Sequence, residues 1–180
     1  MLGSDYEDQV CAAARALEVV GQRWTLLILR DLFLGLVRFD DLVVSLGVTR
    51  SVLTRRLSHL EEHQLIEREL YQQHPERYEY RITAKGAELL DVLARLLEWG
   101  ETYYPHPDGP TRLLQHTGCG GTVRSLLTCT SCGHHLGPGD VTALPGPARA
   151  GLSHPPASEQ GPGLRHLYDA RGKADTTDTS

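Results

Sequence analysis

Residues 40–63 read DDLVVSLGVTRSVLTRRLSHLEEH, and they indicate the fold more clearly than any other segment of the chain. A short helix, DDLVVSL, is predicted with Asp40 as its N-cap and Gly47 as its end. After the corner Leu46-Gly47-Val48, Thr49 is the N-cap candidate of a second helix that runs to about His63. So short a corner between two helices is typical of a helix-turn-helix.

The second of these helices has two chemically different faces. Val52, Leu53, Leu57 and Leu60 fall on one stripe at helical spacing, so this stripe is predicted to face the core. The opposite face carries only side chains that donate hydrogen bonds. They are Arg50, Ser51, Thr54, Arg55 and Ser58.

The flanking sequence completes a recognisable order of elements. Helices are predicted at Val10–Val20, at Trp24–Leu34 and at 84–103 after a Thr83 cap. The segment Trp24–Leu34 is apolar nearly all round and ends at Gly35, so it is predicted to be the central buried helix. Arg38–Phe39 is predicted as a short strand, and Leu65–Tyr71 and Tyr78–Ile82 as a hairpin around QQHPER. This order predicts a mainly α fold with a small β hairpin, the winged helix-turn-helix.

In such a motif the second helix lies in the major groove of DNA, and its N-terminal residues contact base edges. The guanidinium forks of Arg50 and Arg55 suit guanine or phosphate. Arg77, at the hairpin tip, is placed for a minor groove or the backbone, and Arg38 for a phosphate. The predicted DNA-binding set is Arg38, Thr49, Arg50, Ser51, Thr54, Arg55, Ser58 and Arg77.

The overall charge does not favour nucleic acid, because the chain carries a formal net charge of −5. Binding depends on charge at the docking face, however, and segment 50–56 holds three arginines and no acid. Two interpretations compete with DNA binding. Either the arginines are an ordinary solvated helix face, or the winged helix is a protein-interaction module without specific DNA binding.

Composition divides the chain into four zones. Residues 6–103 form the winged helix-turn-helix and dimerisation domain, 104–111 (YPHPDGPT) a linker, 112–136 a zinc-ribbon-like segment and 137–180 a Pro/Gly-rich, disordered tail. No apolar run is long enough for a membrane span, and the acidic start MLGSDYEDQV does not resemble a signal peptide. We expect a cytoplasmic, nucleoid-associated protein. No phosphate loop or catalytic constellation is evident, so an enzyme is not expected.

Residues 116–132 read HTGCGGTVRSLLTCTSC, in which each end can place two metal ligands on one tight knuckle. The set His116, Cys119, Cys129 and Cys132 predicts structural Zn²⁺, with 123–127 as a strand between the knuckles. Either His134 or His135 could replace His116 in this set. Zinc itself competes with a redox-active pair at Cys129 and Cys132, and with idle thiols.

The stretches LEVVGQRWTLLILRDLFLG at 17–35, RFDDL at 38–42, LTRRLSHLEEHQLIER at 53–68 and YEYRITAKG at 78–86 resemble the HxlR family of regulators. The resemblance covers about residues 10–103. It implies a DNA-binding transcriptional regulator, more often a repressor than an activator. It also implies a homodimer, built from the first and last long helices, on a pseudo-palindromic operator.

Some residues depart from the family pattern. Arg50 and Ser51 stand where Pro-Asn is frequent, so the operator of relatives should not be carried over. Gln64 stands where glycine is common and is expected to need a left-handed backbone conformation.

Cys11 lies where several HxlR-type regulators sense oxidants or electrophiles. The resemblance therefore implies a candidate thiol switch. The alternative is a small hydrophobic residue buried in the dimer-forming helix.

Overall fold

The computed structural model describes residues 11–141, and the predicted disorder of 137–180 lies almost wholly outside them. The chain divides into one compact unit up to Arg124 and another from Ser125 onward. The first unit contains helices α1 (Ala12–Val20), α2 (Thr25–Phe33), α3 (Phe39–Leu46) and α4 (Arg50–Glu62), strands β1 (Ile66–Gln73) and β2 (Glu76–Ile82), and helices α5 (Ala84–Ala87) and α6 (Leu90–Tyr103). The second contains the short strands β3 (Leu127–Thr128) and β4 (His135–Leu136).

The core of the first unit lies where α2, α3, α4 and the base of the hairpin meet. Burying the aliphatic side chains of these elements supplies the main stabilising free energy of the unit. The prediction that α2 is buried nearly all round is wrong in one respect, because Leu27 and Leu34 on one side are 38% and 44% exposed. The buried cluster consists of Ile28, Leu29, Leu32, Leu42, Leu46, Leu53, Leu57, Leu60, Leu65 and Ile66.

The helix-turn-helix corner agrees with the sequence at its centre and differs at its start. Gly47 ends α3 in the left-handed region at φ 62°, and the Thr49 hydroxyl caps α4 by accepting from the Val52 N–H at 3.4 Å. The predicted strand at Arg38–Phe39 and the Asp40 cap are wrong, because α3 already begins at Phe39 with Arg38 as its N-cap. Arg38 makes only an isolated β-bridge, to Glu79.

The hairpin β1–β2 is the wing. It is antiparallel, pairs Ile66 with Ile82 and Gln73 with Glu76, and shifts register between Leu70 and Gln72. Both strands run further toward the tip than the sequence predicts, so Arg77 lies in β2 opposite Gln72 and not in the turn itself.

The predicted helix 84–103 is interrupted. Thr83 does cap its start, accepting from the Gly86 N–H at 3.1 Å, but α5 ends at Ala87 and α6 starts at Leu90. Gly86 lies against the wing so closely that a Cβ there would overlap the Leu65 carbonyl oxygen. Only glycine fits this contact between α5 and the start of β1.

One face of α6 is apolar and exposed. Val92, Leu96, Trp99 and Tyr103 recur at helical spacing, and each is about half exposed. In α1, which has no buried residue, Leu17 is 46% exposed. Within residues 11–141, no helix is long and apolar enough to cross a membrane.

In the second unit, β3 pairs Leu127 with Leu136 and Thr128 with His135. The predicted strand at 123–127 is therefore wrong except at its last residue. The segment before it bridges elsewhere, through Thr122 to Gln115 in the first unit.

Candidate nucleic-acid interface

The outer face of α4 is solvent-exposed, as the sequence predicts. Arg50, Ser51, Thr54, Arg55 and Ser58 are all exposed, while Leu53, Leu57 and Leu60 on the opposite side are buried. Amphipathic burial against α2 and α3 therefore orients the helix, and its polar face remains free for a ligand.

Arg50, the first residue of α4, is held by the first turn of α3. Its Nη1 donates to Asp40 Oδ1 at 2.7 Å, and its guanidinium lies over the Phe39 ring at 4.9 Å from the centroid. The cap of α4 adds a hydroxyl contact between Thr49 and Ser51 at 3.2 Å.

Arg38, the N-cap of α3, is held in the same manner by the wing. Its Nε donates to Glu79 Oε1 at 3.2 Å, and its guanidinium lies 5.0 Å from the centroid of the Tyr71 ring. The hydrogen bond to Glu79, and then electrostatic interaction with Tyr71 and with the Glu79 carboxylate, raise the pKa of Arg38. The group therefore stays charged under all ordinary conditions.

These two arginines border one cleft of about 600 Å³ between the helix-turn-helix and the wing. Three arginines and three carboxylates line it, so a polyanion entering it must exchange partners with ion pairs already formed. Arg77 makes no ion pair among residues 11–141. The lining residues are Arg38, Phe39, Asp40, Asp41, Arg50, Thr54, Tyr71, Pro75, Glu76, Arg77, Tyr78 and Tyr80.

Arg55 and Ser58 do not line this cleft. They border a shallower depression on the other side of α4, with Gln22 and Arg56. Burial, and then the charge of Arg55, lower the pKa of Arg56, whose Nε has no hydrogen-bond partner within the described part of the chain. The predicted site residues thus form two groups, one on each side of the exposed face of α4.

The sequence did not identify the residues that hold the arginines: Phe39, Asp40, Tyr71 and Glu79. Arg50 and Asp40 are ten positions apart, and Arg38 and Glu79 are 41 apart. Neither spacing corresponds to a helix or strand repeat, so no local pattern could have indicated these contacts.

The two Cys/His knuckles share two backbone hydrogen bonds, each within its own unit. In the first, the Gly120 N–H donates to the His116 carbonyl at 2.8 Å, and the His116 N–H to the Gly121 carbonyl at 2.8 Å. In the second, the Gly133 N–H donates to the Cys129 carbonyl at 2.9 Å, and the Cys129 N–H to the His134 carbonyl at 2.9 Å.

The side chains of each knuckle converge locally. His116 Nδ1 lies 3.2 Å from Cys119 Sγ. Backbone N–H groups of Cys132 and Ser131 donate to the Cys129 thiol and lower its pKa. Among the described residues, no three His, Cys, Asp or Glu side chains are grouped as ligands of one metal ion, so the four-ligand set remains a prediction.

The equivalence of the knuckles bears on the choice of histidine. His116 corresponds to Cys129 in the hydrogen-bond pattern, and Cys119 to Cys132. His135 instead contacts the Thr128 hydroxyl through Nδ1 at 3.3 Å. The local geometry therefore favours His116 over His135 as the partner of Cys119.

Cys11 is exposed and precedes α1 as its N-cap residue. Its carbonyl accepts from the Arg15 N–H at 3.2 Å. The thiol is thus accessible in the described chain, which is one condition for reactivity.

Comparison with known proteins identifies the domain. A family model described as HxlR-like helix-turn-helix matches residues 19–108. An uncharacterized HTH-type transcriptional regulator of Mycobacterium tuberculosis, Rv3095, is 45% identical over 136 residues, which cover 76% of this chain and 86% of the relative. Another, from Methanothermobacter thermautotrophicus, is 35% identical over 103 residues, covering 57% and 79%.

Two solved structures extend the similarity beyond the wing. PA1607, described as a candidate transcription factor, has a TM-score of 0.66 at 34% identity and covers 74% of this chain and 94% of its own. PA1374 of Pseudomonas aeruginosa, described in the same way, has a TM-score of 0.54 at 40% identity, covering 77% and 94%. The chain therefore belongs to the HxlR-like family of helix-turn-helix transcriptional regulators.

Proposed function

We propose that this protein is a sequence-specific repressor that binds a pseudo-palindromic operator as a homodimer. The observation that supports DNA binding most directly is the exposed polar face of α4, which begins at Arg50 and borders the same cleft as the wing residue Arg77. In a winged helix-turn-helix, the start of the second helix contacts base edges and the wing contacts the flanking backbone. A dimer seated across about one helical turn of a promoter would block polymerase sterically.

Dimerisation is supported by the apolar stripe of α6. Side chains as large as Leu96 and Trp99 are about half exposed on it. Covering so continuous an apolar surface lowers the free energy of the chain in water. A second copy of the same helix offers a matching stripe. The two copies of α4, which we call the reading helix because it is proposed to contact the bases, would then face successive major grooves.

A gel shift on the upstream intergenic DNA tests the proposal. We expect affinity to fall steeply with salt, and the Arg50→Ala and Arg55→Ala variants to lose at least tenfold in affinity. Arg124→Ala, at an exposed residue outside α4, α6 and the wing, removes the same charge and should bind as the wild type does. Retention of wild-type affinity by both α4 variants would favour the protein-interaction module. A promoter fusion then distinguishes repression from activation.

We further propose that His116, Cys119, Cys129 and Cys132 bind one structural Zn²⁺ per chain. Two thiol-bearing knuckles that share two backbone hydrogen bonds, each with a glycine of positive φ after its second ligand (70° and 73°), support this. Soft thiolate and imidazole ligands in a closed set suit zinc, which would supply folding free energy to a segment too small for its own core.

Metal content measured on the purified chain tests the zinc proposal. We expect one zinc per chain, lost in Cys132→Ser and in His116→Ala but kept in Cys11→Ser and in His135→Ala. Zinc lost in His135→Ala but kept in His116→Ala would reverse the choice of histidine. A zinc-free chain that forms a Cys129–Cys132 disulfide would instead support a redox-active pair.

We propose, finally, that Cys11 responds to an oxidant or electrophile. Its exposure at the start of α1, a helix with no buried residue, supports access by a small reagent. After mild quinone treatment, mass spectrometry should show an adduct on Cys11. A gel shift should then show reduced operator affinity for the wild type and unchanged affinity for Cys11→Ser. An unmodified Cys11 would end this proposal.

A further inference from the structure

Arg50 is held by two contacts of different kinds. Asp40 Oδ1 accepts from Nη1 at 2.7 Å, and the guanidinium carbon lies over the Phe39 ring, 4.9 Å from its centroid. Together the two contacts restrict the guanidinium more than either contact would alone. An arginine at the first position of a helix, left without such contacts, would have many rotamers.

A contribution to folding stability does not explain the Arg50–Asp40 ion pair. Both side chains are largely exposed, 69% for Arg50 and 67% for Asp40, and exposed ion pairs contribute little to folding. What the contacts determine is the direction of the guanidinium at the start of the reading helix. Among residues 11–141, Arg50 donates to Asp40 through Nη1, and the N–H groups of Nη2 and Nε are two further, adjacent donors.

From this geometry we propose that Asp40 is a positioning residue that aims Arg50 at a guanine of the operator. Guanine presents O6 and N7 as two acceptors in the major groove, and a fixed guanidinium donates to both. The proposal rests on the DNA-binding function proposed above. It adds that the start of α4 recognises a guanine and that the Asp40 carboxylate is needed for Arg50 to distinguish guanine from other bases.

The neighbouring Asp41 provides a matched control. It lies in the same first turn of α3 and carries the same charge. Within residues 11–141 its charge interacts with Arg38, whereas Arg50 donates to Asp40. Asp40→Ala and Asp41→Ala therefore remove the same negative charge from the DNA-facing side of the unit. Both lose the same favourable interaction with the helix dipole. Only Asp40→Ala releases Arg50.

The test starts from selection of binding sites in a randomised DNA duplex library by the full-length chain, with Arg50→Ala selected in parallel. The position at which only the wild type requires guanine is the one read by Arg50. Titrations then compare duplexes with G·C or A·T at that position. We expect roughly tenfold or greater discrimination for the wild type and for Asp41→Ala. Asp40→Ala and Arg50→Lys should discriminate less than about threefold at that position, with the salt dependence of affinity unchanged for Arg50→Lys.

Several outcomes would overturn the proposal. Equal discrimination by Asp40→Ala and Asp41→Ala would do so, as would a uniform gain in affinity by Asp40→Ala, since Asp40 would then only offset the charge of Arg50. A wild-type chain that selects no sequence would refute the proposed function itself. Thermal melts of all variants, expected to agree within a few degrees, verify that they fold.

Discussion

Among single residues, two that are not glycine have backbone conformations that L-amino acids rarely adopt. Gln64 has φ 57° just after α4, and Trp24 has φ 79° just before α2. Gln64 is exposed, and the Leu65 N–H that follows it donates back to the Leu60 carbonyl at 2.9 Å. Gln64 follows the C-cap residue His63, at the position where glycine is usual, so it stores strain that no burial offsets.

Replacing Gln64 by glycine is expected to raise the free energy of unfolding by about 1 kcal/mol, because the left-handed conformation then has no Cβ penalty. Urea denaturation measures the change. Glu62→Gly, inside the last turn of α4, is the control and should lower stability by about 0.5–1 kcal/mol. A Gln64→Gly variant less stable than the wild type would contradict the strain argument.

At the scale of elements, the clearest link is between α1 and the reading helix. His59 of α4 lies with its Nε2 2.9 Å from the Val19 carbonyl oxygen at the end of α1. Val19 and Val20 pack on the core, whereas the start of the helix, beside Cys11, is exposed. A change at α1 can therefore reach α4 through the Val19–His59 contact.

We expect His59→Ala to leave the Val19 carbonyl unpaired and to cost about 0.5–1.5 kcal/mol in stability. Backbone amides of α1 should then exchange with deuterium faster, while those of α2 keep their protection, as measured by hydrogen–deuterium exchange. His63→Ala removes the ring that lies 4.6 Å from His59 and is the control. Equal exchange in α1 for both variants would mean that the hydrogen bond does not hold this helix.

For the assembly of the whole molecule, the exposed apolar surface is more informative than the net charge. The α6 stripe continues toward a groove of about 350 Å³ between α2 and α6, bordered by Leu27 and Leu34. Both lie on the side of α2 that the sequence predicted to be buried. A second copy of the chain would account for this surface.

A charge on the stripe should therefore dissociate the proposed dimer. In sedimentation equilibrium, Leu96→Glu is expected to halve the mass and to weaken operator binding, because the two half-sites are then no longer held together. Val44→Glu, on an 82% exposed residue of α3, is the control and should keep the wild-type mass. A Leu96→Glu variant with the wild-type mass would exclude α6 from the interface.

Much of the architecture follows from local patterns. The corner at Gly47, the Thr49 cap, the two faces of α4 and the left-handed Gln64 were predicted and are confirmed. The errors fall where contacts distant in sequence compete with local propensity. Arg38 is recruited as the N-cap of α3 and paired with the wing. The last helix is interrupted at residues 88–89, just after Gly86 packs against Leu65.

The sequence by itself determined the winged helix-turn-helix and the exposure of Arg50, Ser51, Thr54 and Arg55, because hydrophobic periodicity and capping residues are local properties. It could not determine that Arg50 lies against Asp40 and Phe39, nor that Arg38 lies against Glu79 and Tyr71. Only packing α3 onto α4 and the wing brings those carboxylates and rings within reach. The residues that can bind DNA are thus specified locally, whereas the direction in which their guanidinium groups point is decided by the tertiary structure.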